Sequence, residues 1–168
     1  MLPTFLGWSH QPALSNVFAY RRQFVLGPRH PGMEGWCTWN LANGLVLQTH
    51  PDLPCVQKSG RTKNITLLGY IIDPNRPELN DDAIVSSIIE QVNQLDDLFV
   101  LTDSLGGRWI IIFEHGNELV LFQDACGLRP VVYTLPGNSE FWCASQTNLI
   151  ADRLDLNRLR KKGSILMS

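Results

Sequence analysis

The stretch "LFQDACGLRPVVYT" occupies residues 121 to 134. Its apolar run breaks at Asp124-Ala125-Cys126-Gly127, and Arg129-Pro130 then stands ahead of Val131-Val132-Tyr133. A two-residue Asn-Gly loop would suffice to close a hairpin. Here Gly127 frees the backbone for a left-handed turn, and Pro130 fixes φ where the next strand restarts. The segment therefore reads as a connection between two strands with a geometry of its own.

Strands extend on both sides of it. "GRWIIIFE" from Gly107 and "ELVLFQD" from Glu118 form a hairpin through His115-Gly116-Asn117. "RPVVYTL" and "EFWCAS" follow, joined by Pro136-Gly137-Asn138, and a short helix is predicted from Thr147 to Leu154. Upstream, "NITLLGYII" from Asn64 is a near-continuous apolar run ending at Asp73-Pro74, the pattern of a strand covered on both faces. Between these blocks Ile84, Val85, Ile88, Ile89, Val92 and Leu95 recur at helical spacing. They predict a helix over 81–95, with Asn80 as N-cap and Asp81 and Asp82 at the favourable end of its dipole. The first third reads as strands: "TFLGW" from Thr4, "NVFAYRRQFVL" from Asn16, a "GPRHPG" loop, then "EGWCTWNLANGLVLQTH" as a hairpin on a tight Asn43-Gly44 turn. Many strands and two or three helices predict an α+β fold with helices outside layered antiparallel sheets.

The chain has 168 residues, enough for a single core. Its 44% hydrophobic and 18% charged residues mark a globular protein. A formal net charge of -2 gives no basic footprint for a phosphate backbone, and the clusters Arg21-Arg22 and Arg160-Lys161-Lys162 are short. Nucleic acid is not expected as a partner. Neither is a membrane, since no apolar run approaches the roughly 20 residues of a span, and "MLPTFLGWSHQ" lacks the form of a signal peptide. A cytoplasmic location follows, so Cys37, Cys55, Cys126 and Cys143 are expected as free thiols and the Asn64-Ile65-Thr66 sequon carries no glycan. No CxxC or CxxH pair points to a metal.

Four segments stand in a telling order: "LGYIID" (68–73), "SLGGRWIIIF" (104–113), "QDACGLRPVVY" (123–133) and "FWCASQTNLI" (141–150). Together they resemble the glutaminase domain of class II glutamine amidotransferases, especially the asparagine synthetase branch, whose corresponding patterns are approximately NGEIYN, L-D/Q-G-M/R-F-A-F, RDRFGIKPLYY and F-A-S-E-x-K-A-L. The resemblance covers residues 60 to 152 well and the first 55 weakly. It implies the N-terminal-nucleophile hydrolase fold, a four-layer αββα sandwich in which two antiparallel sheets lie between helical layers. The Asp-x-x-Gly-x-x-Pro connection is then an inherited corner of that fold.

The same resemblance implies a site that this sequence departs from. The family attacks glutamine with an N-terminal Cys thiolate assisted by its own α-amine. This chain opens Met1-Leu2-Pro3-Thr4, where a thioether cannot attack and Leu2 is expected to block removal of Met1. In the family's Asn-Gly step the Asn stabilises the oxyanion; Gly69 matches the glycine, but Leu68 stands in place of Asn. Losing one such donor typically costs on the order of 100- to 1,000-fold in rate. The Arg that grips the glutamine carboxylate is expected where this chain has Gln48-Thr49-His50-Pro51. An acidic residue before the first helix holds the substrate ammonium, and Asp82 or Asp81 matches it, although helix capping explains either equally well.

The reading that follows is a glutaminase-inactive amidotransferase-like domain over residues 1–155, with 156–168 a linker or tail leading to a synthetase domain absent from this chain. It would be the structural or docking domain of an asparagine-synthetase-like, ATP-dependent amide-forming ligase. Some family members, such as β-lactam synthetases, have likewise lost the N-terminal Cys. The partner is that synthetase domain, in cis or in trans, and self-association as a homodimer is compatible with it. The domain itself carries no cofactor; ATP and Mg2+ belong to the synthetase partner. Two other readings stay open. One is an active glutamine amidohydrolase with a displaced nucleophile, Cys55 with His50 as base and Asp52 as orienter. The other is a stand-alone amino-acid-binding module using a vestigial pocket around Gly69, Asp73 and Asp82. Cys126 and Cys143 are expected as buried small hydrophobes, the tryptophans 36, 39, 109 and 142 as core, His10, His30 and His115 as solvated turn residues, and Arg108 as a surface arginine.

Overall fold

The computed structural model describes residues 20–135, 140–151 and 153–154, apart from the side chain of Asn43. These form two antiparallel sheets. The first runs in the order β2-β3-β1-β9-β8, and the second in the order β4-β5-β6-β7. Strands β1 (Phe24–Gly27), β2 (Cys37–Asn40) and β3 (Val46–Thr49) belong to the first sheet. The second holds β4 (Cys55–Ser59), β5 (Lys63–Ile72), β6 (Gly106–His115) and β7 (Glu118–Gln123). The chain then returns to the first sheet for β8 (Val132–Tyr133) and β9 (Cys143–Ala144). Helices α1 (Asp81–Gln91), α2 (Leu95–Thr102) and α3 (Thr147–Ala151) complete the described elements.

The central pair β5 and β6 alternates its side chains between two cores, as period-two geometry requires. Ile65, Leu67, Ile71, Trp109, Ile111 and Phe113 face α1 and α2, meeting Ile84, Val85, Ile88 and Leu98. Leu68, Ile110 and Ile112 point the other way and meet Phe24 and Leu26 of β1 and Leu47 of β3. Burying each such aliphatic side chain stabilises the fold by about 2 kcal/mol relative to exposure. A third cluster, with Val25, Met33, Trp36, Trp142, Leu149 and Ile150, covers the far face of the first sheet. There the described helix is the five-residue α3.

The corner at 124–131 joins strands of different sheets, which is why a hairpin loop does not serve. β7 pairs with β6, whereas β8 pairs with β9. Asp124 fixes the departure point. Its Oδ1 accepts from the backbone N–H of Cys126 (3.1 Å) and Leu128 (3.2 Å), and its Oδ2 accepts from Trp109 N–H on β6 (3.3 Å). Gly127 turns the chain with φ +59, and its N–H donates to the Asp124 carbonyl at 2.9 Å.

Several expectations need correction. The helix predicted over 81–95 ends early, at Gln91, and a second helix that the pattern did not announce begins at Leu95. Val92 ends α1 by donating to Ile88 O, and Asp97 Oδ2 accepts from the N–H of both Asn93 and Gln94 to start α2 with a capping box. Local hydrogen bonding at 92–97 overrides a pattern that continues through it. The hairpin of β2 and β3 is real, but it closes through a five-residue loop with a 3-10 turn at Ala42–Gly44, because Asn40 pairs with Val46. Strand β4 has no counterpart among the predicted elements, since its half-buried residues 55–59 carry too little periodic signal to announce an edge strand. The expected strand at Thr4, the start of the one at Asn16, the Pro136 turn and the tail lie outside the described residues. As expected, Asn80 caps α1 through Oδ1 and Ala83 N–H. No helix among the described residues is long and apolar enough to cross a membrane.

Backbone N–H donors from Asn93 and Gln94 hold the Asp97 carboxyl below the ordinary 3.8, and the Arg76 guanidinium does the same for Asp73. A depressed folded-state pKa gives stability that is complete above the unfolded value and is lost as pH falls through the folded one. The urea midpoint should therefore be flat down to about pH 4.5 and drop below it. Asp97→Asn should lower the midpoint at neutral pH, and the difference from the parent should shrink as pH falls through the folded-state pKa.

Candidate functional site

A cavity of about 490 Å³ opens where the two sheets are joined by the corner. Its wall takes Tyr70 from the first of the four sequence segments, Arg108 from the second, Arg129 and Pro130 from the third, and Ser145 and Gln146 from the fourth. Arg21 and Arg22, from the turn before β1, complete a set of four arginines.

Backbone geometry makes room for it. Gly69 has φ +105, and a Cβ there would lie 2.1 Å from Arg108 O and 2.7 Å from Arg129 Nε. Only glycine lets β5 and β6 approach this closely while Arg129 crosses over them. Its N–H donates to Pro54 O at 2.8 Å, which binds β5 to the segment entering β4. Arg129 is 8% exposed. Its Nε donates to Arg108 O (3.2 Å) and its Nη1 to Arg22 O (3.3 Å). Burial first, and then the neighbouring Arg108 and Arg22 charges, hold its pKa below the usual arginine value. Arg108 donates through Nε to Leu128 O (3.0 Å), and Arg21 pairs with Asp52 at 2.5 Å. No carboxylate or histidine lines the cavity among the described residues.

The residues singled out from sequence fall in different places. Gly69 borders the arginine cavity. Asp73 lines a second cavity of about 270 Å³ on the helical side, its Oδ2 accepting from Arg76 Nε at 2.8 Å. Asp82 is exposed and pairs with Lys58 on β4 at 2.7 Å, while Asp81 Oδ1 accepts from Ile71 N–H at 2.9 Å. The three do not share a pocket.

Cys55 opens strand β4, and burial pushes its thiol up to about 12. His50 is buried, and its Nδ1 accepts from Asp52 N–H at 3.0 Å; the Asp52 carboxylate turns to Arg21. Arg21 first, and then the nearby His50, hold the Asp52 carboxyl below its ordinary value, and a neutral thiol at pH 7 is a poor nucleophile. Cys143 is buried as expected, its thiol also raised to about 12, whereas Cys126 is exposed in the corner rather than buried. Trp36, Trp109 and Trp142 are buried and Trp39 packs half-buried between the sheets, as expected of core residues. His10 lies outside the described residues; His30 is exposed and His115 ends β6, stacked on Phe113. Gln48 faces away from the cavity, bonded to Met33 and Thr38. Among the described residues no three His, Cys, Asp or Glu side chains form a metal-holding group.

The arginine cluster was missed from sequence because its members come from four distant segments. The one local signal is Arg108 beside Gly107 at the start of β6, and its side chain is exposed, as expected of a surface arginine.

Comparison with known proteins adds one likeness. No protein-family model matches the chain, and no curated protein does. Among solved structures the chain is similar to glutamine phosphoribosylpyrophosphate amidotransferase from B. subtilis complexed with ADP and GMP. The identity is 11% and the TM-score 0.47 over 82% of this chain, which spans 38% of that chain's length.

Two outcomes are expected. Gly69→Ala should destabilise the protein by about 3 kcal/mol or more in urea unfolding, combining left-handed strain with a clash against backbone. In a thiol titration of the native protein, Cys37 and Cys126 should react fast, while Cys55 and Cys143 react only on unfolding.

Proposed function

We propose that the chain is a class II amidotransferase-like domain of the N-terminal-nucleophile sandwich type that no longer hydrolyses glutamine. The observation that carries this reading is the meeting of all four resembling segments on one cavity whose groups do not suit carboxamide hydrolysis.

Opening a carboxamide requires a nucleophile, a base and an oxyanion donor. Leu68, in place of the family's Asn, is fully buried and turned into the core between the sheets. Ser145 brings an aliphatic hydroxyl to the wall, but its Oγ accepts from Phe24 N–H (3.0 Å) and donates to Phe24 O (3.3 Å). No described imidazole or carboxylate on the wall can take its proton. The ammonium of a bound glutamine would meet arginines and no counter-charge, since Asp82 is held by Lys58. None of the four cysteines lines this cavity.

The role proposed is that of a structural or docking domain, residues 1–155, for an asparagine-synthetase-like ligase in the cytoplasm. ATP and Mg2+ would be used by the synthetase partner alone, which forms the amide bond. Tyr133, Leu135 and Phe141 leave apolar surface exposed around β8 and β9, and this is the face such a partner would cover.

Purified protein supplied with L-glutamine should release no ammonia above a protein-free control. Sustained release that Cys55→Ala abolishes would replace this reading with an amidohydrolase having a displaced nucleophile.

A further inference from the structure

We infer that the arginine-walled cavity beside Gly69 is a binding site for a small, doubly charged oxyanion of the phosphate class. The argument uses the cavity alone and does not rest on the amidotransferase-like reading.

A buried cation normally carries a paired anion, because desolvating an isolated charge is costly. Arg129 is 8% exposed and makes no ion pair among the described residues. Asp124 favours the Arg129 charge only through its field, because its two oxygens are spent on three backbone N–H groups. Nε and Nη1 of Arg129 are fixed by two carbonyls, and Nη2 has no acceptor among the described residues. Around it Arg108 commits only Nε, and the Arg22 side chain makes no ion pair among the described residues. Arg21 alone is neutralised, by Asp52. Three guanidinium groups thus converge on about 490 Å³ with no negative side chain on the wall. Mutual repulsion is present before any ligand arrives, and an anion relieves it.

The backbone holds this arrangement deliberately. Arg22 is the one described non-glycine residue with positive φ (+58), and its carbonyl, presented from that conformation, is what anchors Arg129 Nη1. Left-handed backbone at a non-glycine residue concentrates where a site needs a fixed geometry.

Charge and fork geometry select the ligand. A zwitterionic amino acid would bring an ammonium into a cavity without a carboxylate, so its net attraction is small. A phosphate group offers several oxygens and about two negative charges to planar donor forks, which it can accept from in pairs. Tyr70 and Gln146 supply further donors on the same wall. The volume lies within the range of small-molecule sites and leaves space for an organic group on the phosphate.

The test is calorimetric titration and thermal shift of the whole chain with inorganic phosphate and with pyrophosphate, at ionic strength matched with chloride, beside L-glutamine and L-aspartate. Phosphate should bind saturably, pyrophosphate more tightly, and neither amino acid should bind. Arg22→Asn, which keeps a residue tolerant of left-handed backbone, and Arg108→Gln should each weaken phosphate binding about tenfold or more. Both side chains are exposed, so the unliganded melting temperature should change little. Absence of a saturable response beyond the chloride control overturns the inference, as does binding that both variants retain in full. Saturation by the amino acids at comparable concentration would also overturn it, and none of these results depends on whether glutamine is hydrolysed.

Discussion

Asp124 ties the molecule together at the point where the chain changes sheets. Its carboxylate accepts from one N–H on β6 and two in the corner, and its backbone N–H returns to Trp109 O at 3.1 Å. Release of that clamp would free β8 and β9 from a defined start, and with them the strand pairing that brings Ser145 to Phe24. The buried position of the carboxylate makes these bonds hard to exchange for water.

The cavity follows from the same clamp. Four residues after Asp124 the chain reaches Leu128, whose carbonyl takes Arg108 Nε, and Arg129 then lies back across Gly69. A side chain on Gly69 would push Arg129 out and separate β5 from β6 at its carbonyl contact. Packing and electrostatics are coupled here: the close approach that the glycine allows is also what buries a guanidinium among like charges.

The side chains on the cavity wall can vary without loss of the fold, because sheets and corner are held largely by backbone hydrogen bonds. As a buried residue of the intersheet core, Leu68 contributes to stability where an amide donor would have had to be satisfied by hydrogen bonds. Arg21, Arg22 and Arg108, in contrast, are exposed side chains, and their arrangement is explained better by what they attract.

Much of the architecture was legible in the chain itself. The apolar run at 64–72, the paired runs around Gly116 and the Asn80 cap are local patterns, and local patterns fix strands, hairpin and helix start through side-chain period and capping chemistry. The Asp-x-x-Gly-x-x-Pro spacing announced a corner, since Asp accepts from N–H groups two and four residues on and glycine takes the positive φ. The early end of the first helix is local too, set by the Asp97 carboxylate accepting from Asn93 and Gln94, a cap that the continuing periodicity hides. Two things were decided only by the tertiary structure. The edge strand at Cys55 forms because β5 offers it a hydrogen-bonding partner, and burial there raises its thiol to about 12. The arginine cavity gathers residues 21, 22, 108 and 129, and no spacing rule links positions whose proximity exists only once two sheets have packed face to face.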